Sequence, residues 1–103
     1  MKNMGDILRQ AQVMQNKLSK LQQEMGDREF EASSGGGMVT ARVSGRQDLL
    51  ALVIEPKALE GGDVEMLQDL ILAAVNEAMR IAKNSMEREM NALTGGIKVP
   101  GMI

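Results

Sequence analysis

The first 25 residues carry apolar positions in a regular pattern among polar ones. These positions recur at alternating spacings of three and four, as in a helix that packs against another helix; they are Met4, Ile7, Ala11, Met14, Leu18, Leu21 and Met25. The pattern predicts a helix from about Met4 to Met25, ended by Gly26-Asp27. At 1.5 Å per residue this helix would be about 33 Å long and would project beyond a small core. We therefore expect its apolar seam to face a partner helix.

The middle of the chain changes to an alternation of apolar and polar residues, which is typical of half-buried strands. Residues 29–33, 38–44 and 49–54 predict three short strands of an antiparallel meander, with turns at 34–37 and 45–48. The third strand is apolar on both faces and would lie at the edge of the sheet. Because an uncovered apolar edge promotes aggregation, we expect a helix to cover one face of this strand and a second subunit to cover the other face or the edge.

A second helix is predicted after Asp63, which is a favourable N-cap. Its wide apolar stripe suits packing on a sheet and comprises Val64, Leu67, Leu70, Ile71, Ala74, Val75, Ala78, Ile81 and Ala82. The pattern thins beyond Ser85, so a break near Asn84-Ser85 with a separate third helix remains open. We predict a single α+β domain over residues 1–96, in the order α-β-β-β-α, followed by a flexible C-terminal tail at 97–103.

The composition restricts the chemistry that the chain can perform. Its 103 residues include no cysteine, no histidine and one aromatic residue, Phe30. Zinc ribbons, thiol nucleophiles and imidazole catalysis are thereby excluded. Apolar segments of about 20 residues, which would span a membrane, are also missing from the sequence. We expect a cytoplasmic protein that is not an enzyme, contacts no membrane, and needs neither a cofactor nor a metal.

The charged residues are segregated, although the formal net charge is only −2. Acidic residues gather in the early part of the second helix, whereas cations lie on the outer face of the first helix and towards the end of the second. These candidate phosphate ligands are Arg9, Lys17, Lys20, Arg80, Lys83 and Arg88. A solvated helix surface is the alternative, and charge alone favours it. Without Trp or Tyr the chain offers no platform for stacking bases, so double-stranded DNA is the expected form.

Motifs along nearly the whole chain point to one family. They are MGDIL at 4–8, QAQVMQ at 10–15, SGGGMV at 34–39, DVEMLQDLI at 63–71, AAVNEA at 73–78 and LTGG at 93–96. In this order they resemble the bacterial YbaB/EbfC family of nucleoid-associated proteins. The resemblance implies a tweezer-like homodimer of helix–sheet–helix subunits that binds DNA through its helices, with no catalytic residues. The turn at 46–48 is variable in that family and is not among the candidate DNA contacts.

Two functional hypotheses follow. The first is a homodimeric, nucleoid-associated protein that binds duplex DNA mainly through backbone phosphates, with a role in nucleoid organisation or gene regulation. Its candidate dimer interface comprises Ile7, Ala11, Met14, Leu18, Leu21, Leu50, Leu52 and Ile54. The second is a protein–protein adaptor whose protruding helices bind another protein, with DNA binding secondary. The sequence leaves any preference for particular DNA sequences open.

Overall fold

A computed structural model describes residues 3–93 and confirms the predicted α+β architecture. Helix α1 (Met4–Asp27) is followed by strands β1 (Glu29–Ser34), β2 (Val39–Ser44) and β3 (Leu49–Ile54), a 3₁₀ turn (Pro56–Leu59) and helix α2 (Val64–Leu93). The 3₁₀ turn was not predicted, although Pro56 does end the third strand. The predicted domain end at residue 96 and the predicted tail at 97–103 lie outside the described residues.

Helix α1 is two residues longer than its sequence pattern predicts. Asn3 caps its start, because the side-chain oxygen of Asn3 accepts a hydrogen bond of 2.9 Å from the backbone N–H of Asp6. Gly26 was expected to end the helix, but it does not adopt the left-handed backbone of a glycine cap. The chain instead becomes extended at Arg28, whose N–H donates to the carbonyl of Met25.

The three strands form an antiparallel sheet in the order β1-β2-β3, so the predicted meander is confirmed and β3 is an edge strand. Ala41 of the central strand pairs with Leu52. Between Arg42 and Val43 the register shifts, because Arg42 pairs with Ala51 whereas Val43 pairs with Leu49. Leu50 is therefore an extra residue in a β-bulge. Because of the bulge, the alternation of side chains along β3 does not tell on which face of the sheet Leu50 lies.

Helix α2 packs across β1 and β2 and forms the core with them. Its alanines lie against the inward side chains of the central strand, and the fully buried residues are Val39, Ala41, Val43, Ala74, Ala78 and Ala82. Alanine has no bulk beyond Cβ, so helix and sheet approach closely here. Asp63 caps the helix as predicted, since it accepts the N–H of Met66 at 3.0 Å. Val64 was assigned to the buried stripe, but it lies in the first turn and is exposed.

Helix α2 is continuous through Asn84 and Ser85, so the described residues contain two α-helices and no third. The helix runs from the β1–β2 hairpin end of the sheet to the β2–β3 turn end. At its start, the Ser34 hydroxyl donates to the carbonyl of Leu70 at 2.5 Å. Further along, Met86 lies against Gly45, at a position where a Cβ on the glycine would be 3.0 Å from the methionine sulfur.

Both helices therefore extend from the same end of the sheet, where β1 begins and β2 turns into β3. The molecule measures 75 × 24 × 16 Å, with a radius of gyration of 20.2 Å. A compact domain of this length would have a radius of gyration of about 13 Å. The elongation reflects the projection of α1 away from the core.

Candidate nucleic-acid interface

The projecting helix α1 exposes nearly all of its apolar seam. Its buried residues are Met25 and Gly26, at the end that joins the sheet. Met4, Ile7, Met14 and Leu18 of the seam have between 41% and 69% of their surface exposed. Ala11 is also exposed, and Leu21 is half-buried. Within the described residues, no other element covers this seam.

Strand β3 presents a second uncovered apolar surface, because α2 lies over β1 and β2. Of the three candidate interface residues on this strand, Leu50 and Leu52 are exposed, whereas Ile54 packs against the core. Leu49 and Val53, which were not among the candidates, are 48% and 56% exposed. The candidates are alternate residues of a strand that is apolar throughout, and neither the bulge nor the position of α2 is evident from that pattern.

Ion pairs divide the cations of the described chain into two groups. Four arginines pair with carboxylates: Arg28 with Glu89, Arg42 with Glu29 at 2.8 Å, Arg46 with Asp27 at 2.7 Å, and Arg80 with Glu77. Between residues 3 and 93, the cations without an ion pair are Arg9, Lys17, Lys20, Lys57, Lys83 and Arg88. Five of the six candidate phosphate ligands thus keep a positive charge that no contacting carboxylate of the described chain neutralises.

Arg80 is the exception among the candidates. Its Nε donates to Oε2 of Glu77 at 3.0 Å, and its Nη2 donates to the other carboxylate oxygen. This hydrogen bonding, more than the attraction between the charges, lowers the pKa of Glu77 and raises the pKa of Arg80. A phosphate would have to compete with Glu77 for the guanidinium. The spacing of three residues on a helix was the sequence signal for this pair.

The five unpaired candidates lie on the two helices that extend from the turn end of the sheet. Arg9, Lys17 and Lys20 fall within about 80° of one another around α1, at 100° per residue. Arg9 and Lys17 flank a shallow surface formed with Val13 and Met14, so this cationic side adjoins the seam. On α2, Lys83 and Arg88 lie on either side of Met86 in the sequence, and Met86 contacts Gly45 at the turn end of the sheet.

The opposite end of the sheet differs in charge and in shape. Lys57 lies there, beside the glycines of the β1–β2 hairpin. The acidic residues Asp63, Glu65 and Asp69 belong to the same half of the molecule, near the start of α2. Cations without an ion pair in the described chain therefore concentrate at the projecting end, whereas acidic residues lie at both ends of α2, with Glu87 and Glu89 at its projecting end.

Among residues 3–93, no group of three or more acidic, histidine or cysteine side chains is arranged to hold a metal ion. The helices in this range also lack a stretch that is long and apolar enough to cross a bilayer.

Comparison with known proteins agrees with this geometry. Residues 1–97 match the model of the YbaB/EbfC DNA-binding family. The chain is 50% identical to a nucleoid-associated protein of Moorella thermoacetica, over 98% of this chain and 97% of the relative. It is 46% identical to a nucleoid-associated protein of Alkaliphilus metalliredigens, over 97% and 88% of the two chains. The crystal structure of the uncharacterized protein HP0035 from Helicobacter pylori has the same fold, with a TM-score of 0.73 at 22% identity, covering 91% of this chain and 99% of that one.

Proposed function

Because the chain belongs to the YbaB/EbfC DNA-binding family, we propose that it is a nucleoid-associated homodimer that binds duplex DNA mainly through backbone phosphates. The observation that supports this most directly is a set of five cations on the two projecting helices that form no ion pair within residues 3–93: Arg9, Lys17, Lys20, Lys83 and Arg88. A role in nucleoid organisation or gene regulation would follow from such binding.

Phosphate contacts suit this chemistry better than base recognition does. Lys and Arg release counterions when they neutralise phosphates, which gives affinity that depends on salt and little on sequence. Base stacking on aromatic side chains is not available, since Phe30 is half-buried against the core. Because these exposed cations form no ion pair within the described chain, no such pair has to break before they meet a phosphate.

The homodimer is proposed because two apolar surfaces lack a partner within the described chain. One is the α1 seam and the other is β3, whose outer edge has no neighbouring strand among residues 3–93. A second copy would offer the same two surfaces, so contacts between like elements can close the assembly, as symmetric dimers do. Arg9 and Lys17 would then lie at the rim of the covered seam and remain open to DNA. Sedimentation velocity over a range of concentrations tests this, and a monomer at every concentration would contradict it.

Titration of a fluorescently labelled duplex at several salt concentrations tests DNA binding. The logarithm of the wild-type binding constant should fall linearly with the logarithm of salt concentration. In Arg9→Gln/Lys17→Gln/Lys20→Gln, the slope should decrease by about 0.9 for each phosphate that the variant no longer neutralises. Binding that is absent at low salt, or indifferent to salt, would contradict the proposal.

Lys57→Gln is the matched control, because Lys57 is also exposed and has no ion pair within residues 3–93, yet it lies at the opposite end of the sheet. This variant removes the same charge per site without touching the projecting helices. Its salt slope should equal that of the wild type. If Lys57→Gln reduced the slope as much as each α1 substitution does, binding would depend on total charge and not on the projecting helices.

A protein–protein adaptor is the second candidate function, and the exposed α1 seam is the observation in its favour. The two functions differ in the substitutions to which they respond. Seam substitutions such as Met14→Gln would abolish capture of a partner protein, whereas the triple α1 variant would leave it intact. If the triple variant fails to bind DNA while its dimer stays intact, the DNA-binding function is supported over the adaptor.

A further inference from the structure

The root of α1 is held by the turn between β2 and β3, at residues 45–48, which we call the root turn. Arg46 N–H donates to the carbonyl of Gly26 at 3.3 Å, and Gly45 N–H donates to the carbonyl of Arg28 at 2.8 Å. These bonds reach the last turn of α1 and the residue that follows the helix. The root turn is therefore tied to the backbone at the point where α1 leaves the sheet.

Gly45 makes this close approach possible. A Cβ at this position would overlap the carbonyl oxygen of Met25 and would meet the sulfur of Met86 at 3.0 Å. The first contact is with backbone, which cannot move aside without moving α1. The root turn is thus enclosed by α1 on one side and by α2 on the other.

The side chain of Arg46 contacts the same end of α1 from its outer side. Its guanidinium lies beside Gly26, where an added Cβ would be 3.1 Å from Nη2, and it pairs with Asp27 at 2.7 Å. An exposed ion pair of this kind adds little to overall stability. The effect of Arg46 is on geometry, because it makes three contacts with the end of α1. Its backbone N–H bonds to Gly26, its guanidinium packs on Gly26, and its charge pairs with Asp27. The Arg28–Glu89 ion pair further links α2 to the residue after α1.

The root contacts matter because α1 acts as a lever. The helix has 24 residues and is about 36 Å long, so a tilt of about 15° at its root moves its far end by about 9 Å. Phosphates on one DNA strand advance by about 3.4 Å along the duplex axis. At the cations the same tilt gives about 7 Å at Arg9 and about 3–4 Å at Lys17 and Lys20. A small change at the root would therefore shift the α1 cations by about one to two phosphates, relative to those on α2.

We propose that Gly45 and Arg46 are positioning residues that fix the direction in which α1 projects from the sheet, and thereby the spacing of its cations from those of α2. The consequence for DNA rests on the proposed function, whereas the orientation of α1 does not. The orientation of α1 and the affinity for DNA are therefore measured separately.

Orientation is measured by the distance between two spin labels. The chain has no natural cysteine, so labels attach only to cysteines introduced as Gln15→Cys on α1 and Glu65→Cys on α2, both at exposed positions. Labelled chains are diluted in an excess of unlabelled chains, so that distances within one chain dominate even in a dimer. The expected result for the otherwise unmodified protein is one narrow distance distribution.

Arg46→Ala should broaden or shift that distribution by about 5 Å, the displacement of residue 15 for a 15° tilt. The charge-swapped Arg46→Asp/Asp27→Arg variant should restore the narrow distribution. Arg42→Ala is the matched control, because Arg42 has the same side-chain exposure, 49%, and pairs with Glu29 on the sheet. Gly45→Ala should shift the distance distribution further, provided that circular dichroism shows that this variant folds. If the variant does not fold, the Arg46 variants alone test the proposal.

Duplex affinity then separates positioning from direct phosphate contact. If Arg46 orients α1, the charge-swapped variant regains the duplex affinity that Arg46→Ala loses. If Arg46 binds phosphate itself, the charge swap does not restore the affinity. The second result would overturn the DNA part of the proposal. Unchanged distances in Arg46→Ala, or an equal change in Arg42→Ala, would overturn the positioning role. Altered distances together with no DNA binding by any form of the protein would leave the role in orientation standing and refute the proposed function.

Discussion

The two helices of this chain have similar amphipathic patterns but different surroundings. The apolar stripe of α2 packs on the sheet, and Ala74, Ala78 and Ala82 within it are fully buried. The apolar seam of α1 is exposed along almost its whole length and becomes buried at Met25. An amphipathic stripe therefore predicts that a surface will be covered, but does not tell which chain covers it.

The width of the apolar surface distinguishes a helix that packs on its own sheet from a helix that packs on another helix. The stripe of α2 is broad and includes small residues, which suits the flat face of a sheet. The seam of α1 is a narrow a/d pattern, which suits another helix. Since the described residues offer α1 no such helix, its partner is expected in a second copy of the chain.

The largest effect is expected from placing the same charge on each helix. Ala78→Asp puts a carboxylate into the fully buried interface between α2 and β2, and should lower the free energy of unfolding by about 3–5 kcal/mol. Ala11→Asp changes an exposed position of the α1 seam and should cost less than about 1 kcal/mol in the monomer. Urea unfolding at low protein concentration measures both.

Ala11→Asp should nevertheless weaken self-association, which sedimentation velocity would detect. Equal losses of stability in the two variants at low concentration would show that α1 is covered within its own chain. That result would remove the contrast between the helices.

A smaller effect is expected from two methionines of the same seam. Met25 is buried at the root of α1, with 1% exposure, whereas Met14 is 58% exposed. Met25→Ala should destabilise the monomer by about 2–3 kcal/mol, because it leaves a cavity where α1 joins the sheet. Met14→Ala should change the stability by less than about 0.5 kcal/mol. Thermal unfolding of the two variants side by side tests this, and a costly Met14→Ala would place the body of α1 against the core.

Local pattern in the sequence was enough to predict the elements of the fold. Strand β3 has its predicted bounds, and Asp63 caps α2 as expected. The bulge at Leu50 was not predictable, because it depends on pairing between strands and not on either strand alone. The continuity of α2 through Asn84 was equally hidden, since its last turns extend beyond the sheet, where no apolar period is required.

The candidate site was predictable in its residue types, and the ion pair of Arg80 also had a sequence signal. Glu77 lies three positions before Arg80 on the helix and engages it, whereas Arg88 has no acidic residue at that spacing and no ion pair within residues 3–93. The role of the root turn, in contrast, was not visible in the sequence. Gly45 and Arg46 reach α1 through tertiary contacts between residues almost 20 positions apart.

The contrast between paired and unpaired arginines predicts a modest difference in DNA binding. Arg88→Gln should reduce the salt slope of duplex affinity by about 0.9 for each of the two Arg88 side chains of the proposed homodimer that no longer neutralises a phosphate. Arg80→Gln should reduce it less, because Glu77 already engages that guanidinium. Duplex titrations of the two variants under identical conditions measure the difference. An effect of Arg80→Gln equal to or larger than that of Arg88→Gln would refute the importance of ion pairing.

The smallest effect is expected from the pH dependence of the Glu77–Arg80 pair. The hydrogen bond from Arg80 lowers the pKa of Glu77 from its ordinary value of 4.5. The stabilisation is therefore fully present above pH 4.5 and is lost as the pH falls through the lowered pKa of the folded protein. Glu77→Gln should flatten this part of the stability profile. Because the pair is exposed, the difference between the two profiles should be slight. A steeper loss of stability in Glu77→Gln than in the wild type over this acidic range would contradict the assignment.

Amide hydrogen exchange of the unmodified chain, below and above the concentration at which it self-associates, tests most directly whether a second copy covers α1. Amides of α2 between Ala74 and Ala82 should exchange slowly at both concentrations, because the core protects them. Amides of α1 between Ile7 and Leu21 should exchange rapidly in the monomer, since an unpacked helix is marginally stable, and slowly in the dimer. Exchange in α1 that is the same in monomer and dimer would contradict the assignment of its seam to a second copy.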